Sequence, residues 1–133
     1  NYRGLEPLPY KNVKKQKEFQ HEWYERHRQI TKERSYKAKI AIKKRNKEFV
    51  NILKESNPCM DCGNFYPSYV MDFDHLRDKR FGVSKMTNGC FSLDRLKEEI
   101  NKCEIICSNC HRIRTHKRRN VNKMAEQEGI EPT

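Results

Sequence analysis

Two Cys-x-x-Cys pairs constrain this chain more than any other feature. Cys59-Met60-Asp61-Cys62 and Cys107-Ser108-Asn109-Cys110 stand 44 residues apart. One Cys-x-x-Cys turn presents two sulfurs together, and two such turns complete a tetrahedral four-thiolate set. That set has no open coordination position, so it predicts a structural zinc ion holding Cys59, Cys62, Cys107 and Cys110. The rival use of six cysteines is disulfide bonding. The first residues lack the basic-then-apolar pattern of an export signal. That favours metal over disulfides and predicts a reducing compartment: a cytoplasm, or the host cytoplasm for a phage-encoded protein. Cys90 and Cys103 fall outside the pairs and read as a loop thiol and a small core residue on a helix face.

Composition bears on the partner. Lys and Arg number 29 against 18 Asp and Glu, a formal charge of +11 over 133 residues. Such an excess favours a polyanionic partner. Charged and apolar residues each make up 35%, thin for a self-sufficient core, so a metal staple is useful to the fold. No apolar run approaches the ~20 residues that span a bilayer, so no membrane partner is expected.

The chain divides into three parts: a basic helical arm (1–57), a compact module (58–119) and a disordered tail (120–133). From Lys11 to Asn57 there is no Gly or Pro, and good helix formers dominate. Residues 11–56 hold 15 Lys and Arg against 6 Glu, which fits an arm that follows a phosphate backbone. A break near Thr31–Ser35 and a single long helix are both compatible with the pattern. Pro58 ends the helix. Within the module, Tyr69 to Phe73 reads as a strand, Phe81 to Val83 as a short second strand, and Ser92 as the N-cap of a helix carrying Leu93, Leu96, Ile100 and Cys103. His111 to Arg119 reads as a basic helix.

Between the cysteine pairs lies Asp74-His75, and the second pair runs directly into His111. Each alone has a plain structural reading. Together they supply what phosphodiester hydrolysis needs: a carboxylate and an imidazole for a hard divalent cation, and a second imidazole to take a proton from water.

This order of Cys-x-x-Cys, Asp-His and Cys-x-x-Cys-His resembles the zinc-bearing HNH endonucleases, over about residues 58–119. The resemblance implies an α+β fold: a small ββα-metal module stapled by the four-cysteine zinc site and preceded by the long basic helix. It implies that Asp74 and His111 hold a catalytic divalent metal, Mg2+ or Mn2+, and that His75 is the general base. The family's middle Asn orients the catalytic His and falls five residues before the third Cys, where this chain has Lys102. Asn101 is the nearest candidate and Asn109 the alternate. Arg112, Arg114, His116, Lys117 and Arg118 are the expected phosphate contacts, and Asp72 is placed to act behind the metal ligands. The activity implied is nicking or double-strand cleavage of DNA, double-stranded in the simplest case. Two other readings share most of these residues: a non-catalytic zinc-stapled nucleic-acid-binding module and an RNA-processing nuclease.

Overall fold

A computed structural model describes residues 12–129. The protein is α+β. Helix α1 (Val13–Ser56) is followed by a 3-10 turn (Ser68–Val70), strand β1 (Met71–His75), helices α2 (Val83–Asn88) and α3 (Leu93–Ile100), strand β2 (Cys103–Cys107) and helix α4 (Ser108–Gln127). The chain forms two units, residues 1–40 and 41–133.

In the first unit, Asn12 caps α1: its side-chain oxygen accepts the Lys14 N–H at 3.0 Å. No break occurs at Thr31–Ser35, where Thr31 Oγ1 donates to the His27 carbonyl inside the helix. Trp23 stacks on His27 with centroids 4.2 Å apart.

In the second unit the last turns of α1 belong to the core, so the module begins well before residue 58. Val50 is buried with Val83, Met86, Leu96 and Ile100, and Phe49 and Leu53 pack on that cluster. Asn46 is fully buried. Its amide donates to the Phe91 carbonyl at 3.0 Å, and Arg45 donates to its oxygen, so the buried polar group is satisfied.

The two strands pair antiparallel, with Met71 opposite Cys107 and His75 opposite Cys103. Two strands alone are marginal in water. Here α1, α2 and α3 supply one apolar cluster, and Cys59, Met71, Ile106 and Cys107 supply a second around the cysteines.

Several local expectations shift. Strand β1 starts two residues later than Tyr69, which lies in the 3-10 turn and is 87% exposed. Phe81 to Val83 is not a strand: Val83, Met86 and Thr87 are buried at helical spacing and form α2. The expected α3 ends at Ile100, and Cys103 opens β2 instead of closing the helix. The tail from 120 is helical as far as Gln127, because nothing in 120–127 breaks a helix. Gly129, with φ +72°, takes the left-handed position just beyond the C-cap Glu128. Residues 130–133 lie outside the described part of the chain.

Candidate metal centres and the acid–histidine cluster

Cys59, Cys62, Cys107 and Cys110 converge, with all four sulfurs within 4.8 Å of one another. Cys62 Sγ and Cys107 Sγ are 4.0 Å apart, close to the ~3.8 Å edge of a zinc–thiolate tetrahedron with ~2.3 Å bonds. The first knuckle turns at Gly63, whose φ of +72° suits glycine. Its N–H donates to the Cys59 carbonyl, and Met60 N–H docks on the Ile105 carbonyl of β2. The second knuckle is the β2–α4 junction, where Cys107 caps α4 by accepting the Cys110 N–H. Burial opposes ionisation of Cys59, but the N–H of Cys107 and neighbouring donors bring its thiol down to about 6. The hydrogen bond with Cys107, together with burial, pushes Cys110 up to about 12. Four crowded thiolates ionise together only around a cation. The donor set therefore fits a metal ion such as zinc.

Strand alternation sends Asp72 and Asp74 to the α4 side. There His111 Nδ1 donates to Asp72 Oδ2 at 3.1 Å. In the neutral ring the lone pair is then on Nε2, which lies 3.6 Å from Asp74 Oδ1. Asp74 is 3% exposed. Arg118 spans both of its oxygens at 2.8 and 2.7 Å, and Arg114 Nη1 reaches Oδ2 at 2.9 Å. These guanidinium bonds, Arg118 first, overcome burial and hold the Asp74 carboxyl at about 2. Arg114 also bonds Asp61 in two-pronged fashion and Glu104 at 2.7 Å.

His75 leaves β1 on the other face. Its Nε2 donates to Glu99 Oε1 at 2.9 Å, which in the neutral ring leaves the lone pair on Nδ1. Glu99 is 3% exposed. Burial raises its pKa, but the Lys102 ammonium, the N–H groups of Arg80 and Phe81, and His75 together bring it down to about 2.

Of the sequence-derived candidates, Asp74 and His111 come together, and His75 stands on the opposite face of the same strand end. Asn101 is exposed at the C-cap of α3, with its N–H on the Lys97 and Glu99 carbonyls. Glu99, two residues earlier, is the partner of His75. Among the expected phosphate contacts, Arg114 is 18% exposed and committed to three acids, while Arg118 is half exposed and clamps Asp74. Arg112, His116 and Lys117 are exposed, and His116 pairs with Asn120. Sequence reasoning missed Glu99, Asp61 and Glu104. The available signal for Glu99 was its position three after Leu96, an acid on the apolar side of α3.

Compared with known proteins, the chain matches no family model, no curated protein and no solved structure.

Proposed function

We propose that the protein is a zinc-stapled, metal-dependent endonuclease of the HNH type, acting on DNA. The observation that carries this reading is the 3.6 Å approach of His111 Nε2 to Asp74 Oδ1, with Asp72 fixing the imidazole tautomer. A carboxylate oxygen and an imidazole lone pair facing each other form a hard-cation donor pair, and a carboxylate behind the histidine is the usual support for a ligating ring. The order β1, β2, α4 with the four cysteines at its base also agrees with a ββα-metal module.

When bound there, a divalent cation would offset charge on the scissile phosphate and the leaving oxygen. Asp74 and His111 would hold it, and Arg118, the more exposed of the two clamping arginines, would have to yield Asp74 first. His75 would take the proton of the attacking water on Nδ1, with Glu99 holding the ring and stabilising its cationic form. Asp74 and His75 are consecutive at the end of β1 and leave it on opposite faces, so the scissile phosphodiester would have to cross the strand end to reach both. Zinc in the four-cysteine site would serve the fold alone.

One observation favours a second reading, a binding module without catalysis. Asp74 is already neutralised by two guanidinium groups, so its charge beside phosphate is tolerated without a metal. Incubation with supercoiled plasmid separates the two. The endonuclease reading expects relaxed or linear product with Mg2+ or Mn2+ and none without, and intact plasmid under every divalent metal would leave the binding module.

A further inference from the structure

A groove of about 760 Å3 opens between the Arg77–Phe81 loop and α3. Arg77, Lys79, Arg80, Arg95 and Lys102 line it. The acids in its wall are Asp78, Glu98 and Glu99, which leaves the lining at a formal +2. Glu99 is consumed internally by Lys102, His75 and two backbone N–H groups. Arg77, Lys79, Arg80 and Arg95 are exposed and take part in none of the ion pairs among the described residues.

The loop that presents three of these cations is held in place. Arg80 N–H donates to Glu99 Oε1 at 3.0 Å and Phe81 N–H to the same atom at 3.4 Å. Lys102 Nζ donates to the Asp78 carbonyl at 3.0 Å, and Leu76 N–H donates to the Lys102 carbonyl at 2.9 Å. Asp78 adopts a φ of 40°, a left-handed value that aspartate tolerates better than most residues. A charged surface loop would ordinarily be the loosest part of a small domain. Here a buried carboxylate fixes its backbone while its cationic side chains remain turned outward.

We propose that this groove seats the phosphate backbone of a DNA strand, with Arg77, Lys79, Arg80 and Arg95 as its phosphate contacts. The four cations are spread along a loop and one helix face around an open groove, which suits a chain of phosphates better than a single ion. Phe81 and Met86 are the apolar residues of the lining, and Met86 is buried in the core behind it. The atom that pins the loop, Glu99 Oε1, also holds His75, so a strand in the groove runs past the His75 face of β1. The choice of DNA rests on the function proposed above. The groove adds contacts that lie off the basic helix α4.

Duplex binding without divalent metal tests the groove independently of cleavage. The probe is a 20-base-pair fluorescent duplex, titrated at several salt concentrations against wild type and the Arg77→Gln/Lys79→Gln/Arg80→Gln variant. These side chains are exposed, and metal content reports whether the variant is folded. The variant is expected to bind at least about tenfold more weakly at low salt. Its log–log salt slope should fall by about 2–3, near 0.9 per lost phosphate contact. In the wild type, bound duplex should protect Lys79 from acetylation several-fold. If the groove variant shows wild-type affinity and slope, or if Lys79 is acetylated equally with and without duplex, the groove is not the seat. Lost binding in the variant alongside a wild type that never cleaves would uphold the groove and overturn the nuclease reading. Full cleavage and binding by the variant would do the reverse.

Discussion

The Nδ1–H of His111 donates to Asp72 Oδ2 at 3.1 Å, and that one bond decides which ring nitrogen faces Asp74. Asp72 and Asp74 share a face of β1, and His111 sits in the first turn of α4 directly after the last cysteine. The cysteine cluster fixes the start of that helix. Without it, the imidazole has no reason to meet both carboxylates.

The cysteine cluster should therefore carry both metal and fold. Elemental analysis of purified protein is expected to find about one tightly held zinc per chain. Cys107→Ser should lose it and melt the module, because metal binding and folding are one equilibrium in such sites. Two disulfides and no metal would contradict this.

Glu99 should act as a structural hub with a defined pH signature. Glu99→Gln removes the charge that holds Lys102, His75 and the Arg77–Arg80 loop, and should destabilise by about 1.5–3 kcal/mol at neutral pH. The folded carboxyl lies at about 2 against an ordinary 4.5. A depressed folded value means the stabilisation is fully present above about 4.5 and is lost as pH falls toward about 2. The gap between wild-type and variant melting temperatures should hold constant above pH 4.5 and narrow below it. A gap that widens on acidification would show that the carboxylate does not stabilise the fold.

Arg118 should compete with a cation for Asp74. Arg118→Gln removes two of the three guanidinium bonds on that carboxylate, so Mn2+ should bind several-fold more tightly, read without DNA from the loss of the free Mn2+ resonance signal. Equal Mn2+ binding by the two proteins would show that Arg118 does not guard the site.

Truncation should locate the true boundary of the module. Removing residues 1–40 is expected to leave metal content and melting temperature nearly unchanged while weakening DNA binding and flattening its salt dependence. Removing 1–50 also deletes Asn46 and Val50, both buried, and should lower stability by several kcal/mol through the core gap it opens. Equal stability of the two truncations would mean that the last turns of α1 are dispensable.

The cysteine pairs and the Ser92 cap were legible, because metal geometry and capping depend on residue type and short spacing. Asp74 and His111, 37 residues apart, were paired only through the resemblance to the HNH endonucleases, and the fold brings their side chains to 3.6 Å. Strand β2 was not: Cys103-Glu104-Ile105-Ile106-Cys107 is short, and its apolar residues fit a helix end as readily as a strand. Glu99 was hidden because its partners come from Arg80, Phe81, Lys102 and His75, and only the tertiary fold gathers them. The basic helix 111–119 was legible as basic. That Arg114 and Arg118 are turned onto Asp61, Asp74 and Glu104 depends on strand register, which no local pattern encodes.

His75 and the Asp74–His111 pair are proposed to perform metal-dependent hydrolysis of DNA. Single-turnover cleavage of a duplex in Mn2+, with affinity measured in parallel, tests it most directly. His75→Ala is expected to lower the rate by about 10²–10⁴, as for loss of a general base, with metal content and duplex affinity nearly unchanged. His111→Ala should lose cleavage and regain part of it at high Mn2+. Cleavage by His75→Ala at the wild-type rate, or no cleavage by the wild type in any divalent metal, would contradict the account.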